Sequence, residues 1–221
     1  MTLSVPNLTR RGFLAGGASL AALSLAGCAT ERMRIEMPRF SQYYLDMYGP
    51  LPDERFPVPA IDLTKLKPDM FRTDVADPTG ERPGTIVVNT SERHLYLVQE
   101  GGRAIRYGVG IGREGFAWEG SASVGRKAVW PTWTPPLEMQ ERQPETREWA
   151  GGMPPGLTNP LGARAMYIYQ GGRDTLYRLH GTMEVATIGE AVSSGCVRLL
   201  FHDIIDLYQR APVGTPIVVN A

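Results

Sequence analysis

Glycine and proline cut this chain into pieces of strand length. There are 25 glycines and 18 prolines among 221 residues, a density that supplies many turns and argues against a helical bundle. From Gly84 onward the pieces between these breaks are short and apolar. Thr85-Ile86-Val87-Val88-Asn89 is one of them. Leu95 and Leu97 alternate with Tyr96 and Val98, and Gly101-Gly102 turns the chain into Ile105, Tyr107 and Val109. Val124 to Trp130 follows. Arg164 to Tyr169 and Thr175 to Leu179 flank a second Gly-Gly turn at 171 and 172, and Thr215 to Val219 ends the series. Alternation bounded by turn residues predicts β-strands. One stretch differs: Phe201, Ile204, Ile205 and Tyr208 share a helical face with Pro212 just beyond, which predicts a helix over Phe201 to Gln209. The residues alone predict a mostly-β domain over 83–221 with one or two short helices.

Residues 29–82 read as a linker or N-terminal extension. Pro50, Pro52, Pro57, Pro59, Pro68, Pro78 and Pro83 punctuate them, while Phe40, Tyr43, Tyr44 and Tyr48 sit at near-helical spacing. Such a stretch either spans a gap or packs on the surface of the domain. Residues 1–28 read as a targeting device. Thr9-Arg10-Arg11-Gly12-Phe13-Leu14 resembles a twin-arginine export signal, and the apolar run from Ala15 to Leu25 is shorter than the about 20 residues a bilayer span needs. Leu25-Ala26-Gly27-Cys28 resembles a lipobox, which implies that Cys28 becomes a lipidated first residue; simple cleavage and release is the alternative. Ala29 after that cysteine points to the outer membrane.

The precursor has no formal net charge, and its first 28 residues hold two arginines and no acid, which leaves −2 on the remainder. There is no basic stripe, so nucleic-acid binding has no support. Three histidines offer no metal-site spacing, and Gly108, Gly110 and Gly112 are followed by no helix or GK[ST], so neither a metal nor a phosphate cofactor is implied.

Chemistry concentrates between His180 and Arg198. Cys196 is the only cysteine outside the leader, and a thiol with a histidine in reach is the minimum for acyl transfer through a thioester. An ordinary thiol, with a pKa of about 8.5, is only a few per cent thiolate at neutral pH, so the imidazole matters as much as the sulfur. The bland alternative is a buried small cysteine and a satisfied histidine. Its neighbours weigh against it: Ser193, Ser194 and Gly195 make a small polar approach to the sulfur, and Arg198 supplies a nearby fixed cation. Arg198 either clamps a carboxylate or forms a structural ion pair. His94 and His202 are rival bases, the first preceding an alternating strand and the second better explained by a polar helix face.

The strings His180-Gly181-Thr182, Ser193-Ser194-Gly195-Cys196-Val197-Arg198, Asp203-x-x-Asp206-Leu207-Tyr208 and Val213-Gly214-Thr215-Pro216-Ile217-Val218-Val219 resemble the L,D-transpeptidases of the YkuD-domain (ErfK/YbiS-like) family, cysteine enzymes of bacterial peptidoglycan. Pro83 to Val88, Pro131 to Pro135, Pro155-Gly156, Asn159 to Gly162 and Arg164-Ala165 are similar too, so the resemblance covers about residues 83–220. Ser194 stands where many members carry histidine. The resemblance implies a β-sandwich-like fold with a cleft at one end, Cys196 as nucleophile, His180 as base and the Gly181 carbonyl orienting the ring. Backbone N–H groups from Ser194 through Gly195 to Cys196 are natural oxyanion donors, and Arg198 contacts substrate. It further implies an enzyme acting on tetrapeptide stems, with a second stem, a lysine of an outer-membrane protein or water as acyl acceptor, and the leader's own resemblances add a periplasmic, lipid-anchored location. An idle peptidoglycan-binding lipoprotein and a general cysteine peptidase are the rivals.

Overall fold

In a computed structural model, residues 40–112, 119–193 and 196–220 are described. The described residues open with helix α1 (Gln42–Met47) and strand β1 (Thr73–Ala76). Four strands follow: β2 (Ile86–Asn89), β3 (His94–Gln99), β4 (Arg103–Gly108) and the two-residue β5 (Ile111–Gly112). The long β6 (Gly120–Val129) leads to helix α2 (Leu137–Arg142), then β7 (Arg164–Gln170) and β8 (Arg173–Thr182). The last elements are β9 (Ala191–Ser193), β10 (Val197–Leu200), helix α3 (Phe201–Arg210) and β11 (Pro216–Asn220). The domain is mostly β, as expected from the alternation. Within 83–221 the described residues hold two short α-helices, α2 and α3, as expected, and α1 lies where the aromatic residues have near-helical spacing. Helix α2 follows Pro135-Pro136 and buries none of its residues, so it left no apolar stripe to read.

Nine strands form one mixed sheet in the order β1-β4-β3-β2-β11-β6-β7-β8-β10. The C-terminal β11 lies parallel to β2 and antiparallel to β6, which ties the two ends of the domain together. The sheet curls on itself. Gly110, two residues past β4 near one end of the sheet, exchanges backbone hydrogen bonds of 2.9 and 2.8 Å with Arg198 of β10 at the other end. The parallel pair β5–β9 sits at the same seam. Curling lets one face of many strands share a core: Ile86, Leu95, Tyr107, Val124, Ile168, Leu179, Val197, Leu199 and Ile217 join one buried cluster. This is the sandwich-like arrangement, closed by α3, whose Ile204 and Leu207 enter the same cluster. The lysine ammonium of Lys127 caps α3 by bonding the carbonyls of Tyr208 and Ala211, where the helix dipole favours a cation.

Of the stretch read as linker or extension, residues from Phe40 on pack as part of the same compact unit as the sheet. Tyr48, Leu63, Leu66, Met70 and Phe71 are buried in a cluster with Ile188 and Leu200. A six-residue helix such as α1 is marginal alone; here Tyr44 and Tyr48 hold its end against the Phe71 ring at 4.8 and 5.9 Å. Two histidines fasten this segment to the domain. His94 Nε2 lies 3.1 Å from the Asp69 carbonyl, and His202 Nε2 lies 2.6 Å from the Gly49 carbonyl. His202 is therefore not on a polar helix face as expected, but buried at a contact. The leader, with the twin-arginine segment and Cys28, lies outside the described residues.

Candidate active site

Four strands build the site through their register. On β8, Leu179 points to the core, so its neighbours Arg178 and His180 point to the opposite face. On β10, Val197 and Leu199 are core, which sends Arg198 to that same opposite face, directly beside His180. Cys196 precedes Val197, and by the same alternation it lies beside Arg178 and diagonal to His180. Diagonal neighbours on adjacent strands lie about 7–8 Å apart, within reach of an imidazole. Towards β7 and β6, one row reads Arg126, Tyr167, Arg178 and Cys196, and the next reads Ala128, Ala165, His180 and Arg198. Sixteen residues of sequence between His180 and Cys196 thus become one step across a parallel pair.

The ring of His180 is buried and held by backbone. Nδ1 lies 3.1 Å from the carbonyl oxygen of Gly181, the residue that follows it. A proton donated from Nδ1 to that oxygen leaves Nε2 as the accepting nitrogen. The Pro160 carbonyl also lies near the ring and, like that of Gly181, favours its charged form. Burial pushes the imidazole down to about 4, against both carbonyls, and the nearby Arg198 and Arg178 charges push the same way. Burial likewise pushes the Cys196 thiol up, while the Arg178 backbone and the Arg178 and Arg198 charges pull it down. At neutral pH the resting pair is therefore thiol and neutral imidazole, and the thiolate forms when the base takes the proton.

Asn159-Pro160-Leu161-Gly162, part of the family-like pattern, forms a brace. Asn159 is buried, its Nδ2 donating to the carbonyls of Met153 and Pro154 at 3.2 and 3.0 Å while its Oδ1 accepts from Leu161 N at 2.9 Å. The loop so shaped presents the Leu161 carbonyl to Gly181 N at 3.2 Å and the Pro160 carbonyl to His180. Glycine is needed at 181, because a Cβ there would meet Phe201 at 2.7 Å. Gly162 has φ +63, and a Cβ on it would press the Gly181 carbonyl at 2.8 Å. Two glycines thus let the loop, β8 and α3 crowd around the carbonyl that orients the ring.

Arg198 pairs with the exposed Glu184 at 3.2 Å, so the structural alternative for it is realised in this state. Glu184 is 69 % exposed, which leaves the pair weak and displaceable by another carboxylate. Ser194 and Gly195 lie outside the described residues. His94 and His202 are each tied to a carbonyl of the N-terminal segment, and neither shares a row with Cys196. Among the described residues no helix is long and apolar enough to cross a membrane, and no three His, Cys, Asp or Glu side chains converge as a metal site would need.

A thiol, a buried neutral imidazole with a fixed tautomer and flanking guanidinium groups are equipment for acyl transfer to and from sulfur. Comparison with known proteins agrees. Residues 83–219 match the model of the YkuD L,D-transpeptidase catalytic domain. The chain is 40 % identical over 136 residues to the probable L,D-transpeptidase YbiS of Escherichia coli (strain K12), covering 59 % of this chain and 42 % of that protein. It is 37 % identical over 138 residues to the probable L,D-transpeptidase ErfK/SrfK of the same organism, covering 61 % and 43 %. The chain thus spans less than half the length of these two relatives. A crystal structure described as a probable carnitine operon oxidoreductase from Brucella melitensis is 42 % identical, with a TM-score of 0.49 over 72 % of this chain and 99 % of that one. With the family model covering most of the chain, this protein belongs to the YkuD-domain L,D-transpeptidase family.

Proposed function

We propose that this protein is a periplasmic cysteine L,D-transpeptidase acting on tetrapeptide stems of peptidoglycan whose third residue is diaminopimelate. His180 Nε2 takes the Cys196 proton as sulfur attacks the carbonyl at the L-centre of that third residue. The tetrahedral oxyanion is held by backbone N–H groups of the segment from Ser194 to Cys196. The C–N bond to the terminal D-alanine breaks, and its amine leaves with the proton from His180. An amine then attacks the thioester, gives its proton to His180 and restores the thiol. A second stem as acceptor yields a 3→3 cross-link, a protein lysine yields attachment of an outer-membrane protein, and water yields a shortened stem. The Gly181 carbonyl stabilises the imidazolium that appears in both halves, a charge that burial otherwise opposes. Export by the twin-arginine route and lipidation at Cys28 place the domain beside this substrate.

The observation that supports the reading is the register that pairs Arg198 of β10 with His180 of β8; strand alternation continued one residue back sets Cys196 on the His180 face. The test is incubation of the mature protein with purified disaccharide-tetrapeptides, followed by mass. The expected product is a dimer of stems lacking one alanine, absent with Cys196→Ala. Monomers shortened by alanine instead mark water as acceptor. Binding without turnover by the parent enzyme sinks the proposal in favour of an idle wall-binding protein.

A further inference from the structure

The proposed chemistry leaves two members of the site row without a role, Arg126 and Tyr167. Strict alternation along β6 from the core residue Val124 would send position 126 back to the core. It does not go there. The register slips between Val124, which pairs with Ile168, and Arg126, which pairs with Tyr167. Gly125 occupies the extra position, and a Cβ on it would lie 2.3 Å from the Tyr169 ring, so this bulge requires glycine. Bulges gather next to functional sites because they re-aim a side chain. Here the bulge turns Arg126 onto the face that holds Cys196.

The row is built to hold that guanidinium still. Arg126 lies 3.7 Å from the Tyr167 ring centroid and Arg178, from the strand on the other flank, lies 4.3 Å from it. The two cover the ring so fully that Tyr167 is only 6 % exposed, although it faces away from the main core. Their charges have different fates. Arg178 is neutralised by Asp174, which takes both of its terminal nitrogens at 2.6 and 2.9 Å. Arg126 is exposed and pairs with no carboxylate of the described residues. A rigid, stacked, uncompensated guanidinium three strands from the thiol is suited to a carboxylate.

We infer that Arg126 is a specificity residue that receives a carboxylate of the donor peptide while its scissile carbonyl sits at Cys196. The inference rests on the donor assigned above. Three strand spacings amount to about 14 Å, of which about 4 Å is taken up by the guanidinium–carboxylate contact itself, leaving roughly 10 Å for the peptide to span. An extended peptide advances about 3.3–3.6 Å per residue. The carboxylate therefore belongs to a group two or three residue lengths from the reacting carbonyl. The far carboxylate of the diaminopimelate side chain and the carboxylate of an acidic residue before it both satisfy this length.

The experiment measures binding in the Cys196→Ala protein, where no turnover complicates the reading. Calorimetry compares the free-acid disaccharide-tetrapeptide with two forms, one amidated at the diaminopimelate far carboxyl and one at the second residue. The free acid is expected to bind about tenfold or more tightly than one of the amidated forms, which identifies the group. Adding Arg126→Gln erases the difference, and Arg126→Lys, which keeps the charge but loses the fork, retains part of it. Equal binding of all three ligands to the Cys196→Ala protein, or a preference that survives Arg126→Gln, overturns the inference. Turnover by the wild-type enzyme is assayed in parallel. A binding preference without turnover removes the assigned reaction and leaves the carboxylate site standing.

Discussion

Two regions of this molecule hold titratable side chains far from their ordinary behaviour, and they do opposite things with them. One is the face of β8 and β10, where burial keeps His180 neutral and Cys196 protonated. The other is the junction between α3 and the N-terminal segment. There the carboxyl of Asp203 is fully buried and pushed up to about 7, first by burial and with the neighbouring Asp206 adding to it, while Arg72 works against both. Arg72 lies 3.8 Å from Asp203 and 3.2 Å from Asp206, the Tyr48 hydroxyl donates to Asp203, and the Tyr107 hydroxyl donates to Asp206 at 2.7 Å. A displaced pKa marks a candidate site only when the group can meet a substrate. At the junction every partner comes from another part of the same chain, so the network is a fastener. At the site, the partners are backbone carbonyls that orient one ring and leave its other nitrogen for work.

Mutation separates the two most sharply. Cys196→Ala is expected to lower turnover roughly 10³-fold or more, with stability unchanged within about 1 kcal/mol, because it trims a single sulfur atom from one small side chain. Product formation by mass and a denaturant melt test both halves; residual activity above that level breaks the assignment. Arg72→Met should do the reverse. It leaves the buried Asp203 without a cation, while Asp206 keeps Arg210. The loss costs about 3–5 kcal/mol, while kcat at a temperature where the variant is folded stays within a few-fold. A urea midpoint like that of the parent would show that the fastener carries no energy.

Next comes pH. The folded pKa of Asp203 is raised above its unfolded value near 3.9, so its neutral form favours folding at low pH. That contribution is lost as pH rises through about 7. His180 has a folded pKa below its unfolded 6.5, so its contribution is present above 6.5 and lost as pH falls through about 4. Asp203→Asn should flatten only the decline of Tm between about pH 4 and 7, by a few degrees. His180→Gln should flatten only the decline below pH 6. For catalysis, the acid limb of kcat/KM should centre near 4 rather than 6.5, reported by the coupled thiol–imidazole pair. A limb at 6.5 would mean that the ring is solvated in solution. Iodoacetamide should alkylate Cys196 more slowly at pH 7 than a free thiol of ordinary pKa.

The smallest effect is reserved for the rim. Glu184→Gln breaks an exposed pair with Arg198 and should change stability by less than about 1 kcal/mol. If Arg198 binds a donor carboxylate, the same change lowers KM, because a competing acid is gone. A rise in KM would make Glu184 part of the site rather than a placeholder.

Much of this fold was legible. Strands β2, β3, β4, β7, β8 and β11 show as alternating or β-branched runs between glycine turns, and α3 shows as a 3-to-4 apolar spacing stopped by Pro212. Around α1 the aromatic spacing was legible, but residues 49–82 were harder, since Leu63, Leu66, Met70 and Phe71 enter the core singly, separated by polar residues and proline, with no period to detect. Helix α2 was invisible for a related reason, as it buries nothing. At the site, Cys196, His180, Gly181 and Arg198 were named from motif chemistry. Asn159 and Pro160 were seen only as part of the family-like pattern, because a carbonyl that braces a ring leaves no mark on residue type. Arg126 was not singled out at all: a one-residue bulge at Gly125 decides which way it points.

What the amino-acid sequence by itself determined is local. Side-chain size, branching and turn propensity act over a few residues, and they set strands, one clear helix and the identity of the reactive groups. Tertiary structure alone decided which groups meet. A parallel crossover sets His180 beside Arg198 and next to Cys196, a bulge reverses Arg126, and burial moves the protons. Register, curvature and desolvation are properties of neighbours that are distant in the chain, and a linear reading contains no term for them.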